Sequence, residues 1–169
     1  MKKELHLSEY TFKTYTLIYL LKDGKILLLH RDKAKSDMAN KLTGLGGKIE
    51  KGELLFESAK RECLEESGLT MGNPKLRGTF QWFDESSKIC MTHIIFATDF
   101  SGELKRHNRE GFLAWYLLSE LENLLNLANY QRMFLSYLLE DENNFYSGIG
   151  VFKDEELVDY VDTTGRKYE

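Results

Sequence analysis

The sequence predicts one layered domain of the α+β or mixed α/β class, and three observations carry that expectation. Short runs rich in β-branched and aromatic residues alternate with two segments of helical period, in the order strands, helix, strands, helices, strands. With 169 residues, 42% of them hydrophobic and one proline, the chain can bury a sizeable core and is poor in the breakers that mark linkers. No internal repeat or low-complexity stretch divides it, so residues 1–169 are expected to form a single domain.

Residues Thr11 to Leu21 (TFKTYTLIYLL) and Lys25 to Arg31 (KILLLHR) flank the turn Lys22-Asp23-Gly24 and read as a hairpin. Residues 32–42 are small and polar, a loop by composition, and lead into the glycine group Gly44, Gly46 and Gly47, where backbone must turn tightly or approach something closely. Leu54 to Ser67 (LLFESAKRECLEES) is rich in helix formers, with Phe56, Ala59, Cys63 and Ser67 as its expected buried stripe and Gly68 as its stop. Lys75 to Asp84 and Lys88 to Thr98 are two further strands joined across Glu85-Ser86-Ser87, and Phe112 to Leu118 is a fifth. Ser119 is placed to cap a short helix over Glu120 to Leu125. Ala128 to Glu140 places Tyr130, Met133, Phe134, Tyr137 and Leu138 on one face, a stripe better suited to core than to a ligand. Phe145 to Phe152 and Leu157 to Val161 suggest a closing hairpin.

A formal net charge of -4 argues against a protein whose main task is gripping a nucleic-acid backbone, and basic patches interleaved with aromatics are not evident beyond Lys105-Arg106 and Arg109. The charge is uneven. Residues 1–46 carry nine bases and five acids, whereas residues 140–169 carry three and nine. Cys63 and Cys90 form no CxxC pair and lie near no histidine cluster, which fits a reducing compartment better than a zinc or disulfide framework. Without a basic-then-apolar leader or a long apolar run, the expectation is a soluble cytoplasmic protein, monomer or homodimer.

The segment that carries chemistry is Gly47 to Leu69. On a helix, Glu62 has Glu65 and Glu66 three and four positions later, so the three carboxylates share one surface. Like charges at that spacing repel, and a hard divalent cation with its preference for oxygen ligands is the simplest way to hold them together. The preceding glycine loop, with Lys48 inside it, offers backbone carbonyls to metal and amides to phosphate.

The same segment resembles the Nudix box, GX5EX7REUXEEXGU with U bulky and apolar. It matches through Gly47, Glu53, Arg61, Glu62, Cys63, Glu65, Glu66, Gly68 and Leu69, with cysteine at an apolar position as the one mild variation. The resemblance implies a mixed β-sheet sandwiched between helices and hydrolysis of a nucleoside diphosphate linked to another moiety. It implies Mg2+, with Mn2+ as a possible substitute, held by Glu62, Glu65, Glu66 and the Gly46 carbonyl, while Glu53 and Arg61 brace the loop against the helix. Outside the box the chain is similar to the oxidised-purine nucleoside triphosphatases of the MutT type, through LLLHR, GLGGKIEKGE, EGFLAW at Glu110 to Trp115, and LLEDENNFYSGIGVF. That similarity implies Glu110 as an additional metal ligand or water-orienting base, and Arg31 and Lys48 as phosphate contacts.

The expected partner is therefore a small-molecule nucleotide, with neither nucleic acid nor membrane. The marks of the ADP-ribose, dinucleoside polyphosphate, coenzyme A and NADH branches are missing, which favours a nucleoside triphosphate split into monophosphate and pyrophosphate, 8-oxo-dGTP among the candidates. For the base, the human-type relatives have an asparagine where this chain has Thr43, and an aspartate pair where it has LANYQR, without an acid. Asn126, Asn129, Tyr130 and Gln131 are the polar candidates there, and Phe80, Trp82 or Phe83 the candidate walls. Two other readings stay open: the same chemistry on another nucleotide derivative, and a nucleotide-sensing or RNA-binding module without turnover.

Overall fold

The computed structural model describes residues 12–32, 38–83, 89–154 and 156–165. The expected link Glu85-Ser86-Ser87 and the loop tip at 33–37 lie outside the described residues. In chain order the strands are β1 (Phe12–Lys22), β2 (Lys25–Arg31), β3 (Leu42–Thr43), β4 (Thr70–Met71), β5 (Lys75–Phe83), β6 (Ile89–Ala97), β7 (Phe100–Ser101), β8 (Gly111–Leu117), β9 (Tyr146–Lys153) and β10 (Glu156–Asp162). The helices are α1 (Leu55–Ser67), between β3 and β4, and α2 (Asn129–Glu140), between β8 and β9. A mixed eight-stranded sheet runs β10-β9-β5-β6-β1-β2-β3, with β8 on β2, and β4 pairs with β7 in a ribbon of its own.

The strands are paired in parallel at β1–β6 and β5–β9 and antiparallel elsewhere in the large sheet. The period-two alternation of β1 assigns its side chains to two cores. Leu17 and Tyr19 join Ile26, Leu28, Ile94, Phe96, Phe134 and Leu138, whereas Ile18 and Leu20 join Leu27, Leu29, Ile95, Ala59 and Cys63. One core lies under α2 and the other under α1, so the sheet is the middle layer of a sandwich. A strand covered on both faces reads as a continuous apolar run, which is why LIYLL looks the way it does.

The first hairpin forms as expected, but only at its closed end. The β1–β2 register consists of Leu21 opposite Ile26 and Lys22 opposite Lys25. Beyond that the strands part, and the loop after β3 enters the gap. Leu45 exchanges backbone hydrogen bonds with Ile18 at 2.7 and 3.0 Å, Thr16 N–H donates to the Gly47 carbonyl at 2.8 Å, and Ile49 N–H donates to Thr14 at 2.9 Å. A Cβ on Gly46, whose φ is +134°, would stand 2.1 Å from the Thr16 carbonyl oxygen, so no larger residue fits this approach.

Two local expectations change. Phe56 is 40% exposed, whereas the buried residues of α1 are Ser58, Ala59, Glu62, Cys63, Glu66 and Ser67, with Leu55 partly buried against the same core. Ser119 does not cap a helix over 120–125. Instead a 3-10 turn spans Leu118–Asn123 with Leu117 at its cap position and Leu121 buried as its anchor. Gly68 ends α1 as expected, in the left-handed conformation at φ 74°. The α2 stripe is core, with Met133, Phe134 and Leu138 buried and Tyr130 and Tyr137 packed against them. At the C-terminal end of α2, the Arg77 guanidinium from β5 donates to the carbonyls of Leu138 and Asp141, both at 2.7 Å, and stacks over Phe96. Cys63 and Cys90 are both buried free thiols. No described helix is long and apolar enough to cross a membrane.

Candidate active site

The site lies where the splayed β1–β2 pair admits the glycine loop and the loop meets α1. The Gly46 N–H donates to Glu66 Oε2 at 2.9 Å, which ties the loop to the helix. A Cβ on Gly47 would stand 2.5 Å from Glu62 Oε1, so glycine here lets the Glu62 carboxylate lie against bare backbone. Glu62 and Glu66, one helical turn apart, are both nearly buried, while Glu65 is about half exposed. Glu65 and Glu66 fall in the last turn of α1, where the helix dipole disfavours anions and no basic residue compensates. The helix thus carries its carboxylates at the end least suited to them for stability.

Arg61 holds the loop side. Its Nε and Nη2 donate to the two oxygens of Glu53 at 2.7 and 2.9 Å, a bidentate fork, and Nη2 also reaches the Lys48 carbonyl at 3.3 Å. Nη1 donates to Glu62 Oε1 at 2.7 Å and to Glu65 Oε2 at 3.4 Å. The fork holds the Glu53 carboxyl well below the ordinary carboxylate range, at about 2. Glu66 moves the opposite way. Burial pushes its carboxyl up to about 8, the Gly46 N–H opposes that, and the charges of Glu110 and Glu62 push it further.

Glu110 arrives from the loop before β8. Arg31, at the end of β2, places Nη2 3.1 Å from Glu110 Oε2. A residue that the sequence reading missed sets the loop: Asn108 Oδ1 accepts the N–H groups of Glu110 and Gly111 at 2.8 and 3.0 Å, and its Nδ2 donates to the Glu66 carbonyl at 3.1 Å. Nothing in the segment HNREG separates such an asparagine from an ordinary turn residue.

A cleft of about 670 Å3 opens beside this cluster. Arg31, Thr43 and Gly44 to Gly47 line one part, and Tyr15, Phe80, Trp82, Tyr130 and Phe152 supply aromatic walls. Phe152 packs edge-on against both Trp82 and Tyr130 with centroids 5.6 Å away in each case, and Trp82 Nε1–H donates to Thr92 at 3.1 Å, which orients its ring. Of the expected base contacts, Thr43, Phe80 and Trp82 reach the cleft, and Thr43 Oγ1 is buried without a partner. Asn129 is exposed at the start of α2 and does not line the cleft. Gln131 is fully buried behind it, accepting from Tyr19 OH at 2.7 Å and donating to Tyr130 OH at 2.9 Å. It positions Tyr130 and, being fully buried, does not line the cleft. Asn126 is also committed, to the carbonyl of Asn40. The Lys48 side chain is exposed and outside the cleft lining. Asp154, from the β9–β10 turn, is a cleft residue that the sequence reading did not name.

The donor set suits a hard divalent cation: buried glutamate oxygens, a glycine loop with no side chains in the way, and a Glu66 carboxyl short of counter-charge. Among the described residues no three acidic, histidine or cysteine side chains already converge as a cage. Glu62 is paired with Arg61 and Glu110 with Arg31.

Comparison with known proteins agrees with this arrangement. Residues 12–138 match the NUDIX domain, and the chain belongs to that family. The chain is 35% identical over 95 residues to the oxidized purine nucleoside triphosphate hydrolase of Danio rerio, covering 56% of this chain and 60% of that protein. An uncharacterised Nudix hydrolase of Bacillus subtilis is 27% identical over 142 residues, 82% of this chain and 86% of its own. Among solved structures, the MutT protein of Bacillus halodurans superposes with a TM-score of 0.80 at 26% identity, covering 91% of this chain and 99% of that one. The fold is accordingly the MutT-type mixed sheet with flanking helices, and the chain is a hydrolase of the Nudix type.

Proposed function

We propose that this hydrolase splits a nucleoside triphosphate into a nucleoside monophosphate and pyrophosphate in the presence of Mg2+, and that oxidised purine nucleotides are among its substrates. The observation that carries the reading is the continuity of the cleft: Arg31 and the glycine loop adjoin the buried carboxylates, and the aromatic walls follow directly. A polyphosphate fits the first part and a purine the second. The name borne by the Danio rerio relative supports the same substrate class.

Glu62, Glu65, Glu66 and Glu110, with the Gly46 carbonyl, are the groups to hold Mg2+, which when bound neutralises the nonbridging oxygens and acidifies the attacking water. Arg31 lies against both the cleft and Glu110, where it can pass from the carboxylate to a phosphate oxygen as substrate enters. Arg61 and Glu53 keep the glycine loop against α1, so the site is assembled before substrate arrives. The proton released by water goes to the glutamate set.

A pyrophosphate-release screen with Mg2+ over canonical and oxidised nucleoside triphosphates, ADP-ribose and dinucleoside polyphosphates tests this. Triphosphates should be the best substrates. Preference for another derivative would replace the substrate class, and tight binding without turnover would make the protein a nucleotide sensor.

A further inference from the structure

Among the described residues, two that line the cleft carry charge, Arg31 and Asp154. Arg31 is held on the carboxylate side by Glu110. Asp154, exposed in the turn between β9 and β10, lines the cleft two residues after Phe152, the ring that packs on both Trp82 and Tyr130. Among the described residues no ion pair neutralises it. Its φ of 47° is a conformation that costs most residues energy and that aspartate and asparagine tolerate best.

A carboxylate at the edge of an aromatic cleft accepts hydrogen bonds and donates none. Resting on the nucleotide reading above, we propose that Asp154 selects the base: its two oxygens accept the adjacent N–H donors of a guanine-type edge, N1–H and the exocyclic amine. An adenine-type edge presents a lone pair at N1, which faces the carboxylate unfavourably, so adenine nucleotides are disfavoured. The buried, unpartnered Thr43 hydroxyl lines the same cleft and offers the base or sugar a second polar contact. Polar recognition of this kind discriminates more sharply than the aromatic walls, which stack on any purine.

The test compares kcat/KM for dGTP and dATP, and binding of GMP and AMP without metal, in the wild type and in Asp154→Asn. The amide retains one acceptor, adds a donor and keeps the left-handed turn, so the fold is preserved, which the Tm verifies. The wild type should favour guanine by about ten-fold or more in both assays, and in Asp154→Asn that ratio should fall to near one with the dATP rate at least retained. An unchanged ratio in the variant, or a wild type that prefers adenine, overturns the inference while leaving the hydrolase reading intact. If no triphosphate is turned over, the triphosphate reading fails and the monophosphate binding ratio alone decides the role of Asp154.

Discussion

Arg31 and Glu110 meet across a 3.1 Å ion pair although 78 residues separate them in the chain. The register of β2 against β8 brings them together, since Arg31 lies opposite Gly111 and so beside the residue before it. Arg31 thus lines the cleft while it holds the loop that carries Glu110.

Replacing Arg31 therefore acts on binding first. Arg31→Ala should raise KM for a nucleoside triphosphate by about ten-fold with a smaller change in kcat, and Arg31→Lys should recover part of it. Steady-state kinetics with Mg2+ in excess checks the split. A loss confined to kcat would assign Arg31 to the chemical step instead.

Asn108 is the joint between Glu110 and Glu66. Asn108→Ala should lower turnover by about 10- to 100-fold with little loss of thermal stability, the size expected for a residue that orients a ligand-bearing loop. In a Glu110→Gln background the same change should cost far less, because it acts through Glu110. Full additivity in that double-mutant cycle would show that Asn108 serves only the fold.

The Glu66 carboxyl makes stability depend on pH. Its folded pKa of about 8 lies above its ordinary value of 4.5, so the native state holds a proton that the unfolded chain releases. Stability of the metal-free protein should therefore be full below 4.5 and decline as pH rises through about 8, by an upper bound on the order of 4 kcal/mol. Mg2+ relieves that cost, so the Tm increase it produces should grow from pH 5 to pH 8. Thermal melts with and without Mg2+ across that range measure it, and a Mg2+ effect independent of pH would contradict it. Glu53 has the opposite sign: its pKa of about 2 makes its contribution complete above 4.5 and lost as pH falls toward 2.

Much of this site could be read before the structure because helical periodicity converts spacing into geometry. The four-residue step from Glu62 to Glu66 is enough to align them, whereas the contact of Glu53 with Arg61 was legible only through the resemblance to the Nudix box. The apolar period of β1, β2 and α2 likewise shows which faces are buried. Two-residue strands such as β3, β4 and β7 have no period to detect. The parting of β1 from β2 was hidden because a hairpin signal reports the turn and not how far pairing continues. Gln131 looked available as a polar residue of LANYQR, yet its side chain points inward to Tyr19. Asp154 was invisible for the opposite reason: only the pairing of β9 with β5 carries its turn to Trp82.

The central claim is that buried carboxylates around the glycine loop use Mg2+ to release pyrophosphate from a nucleoside triphosphate. It is tested most directly by identifying the phosphorus products of an oxidised purine triphosphate with wild type, Glu62→Gln and Glu66→Gln. The account expects monophosphate and pyrophosphate from the wild type with Mg2+, none without it, and a loss of at least about 1,000-fold in each variant with the fold intact. Orthophosphate as the product, or wild-type turnover in both variants, would contradict it.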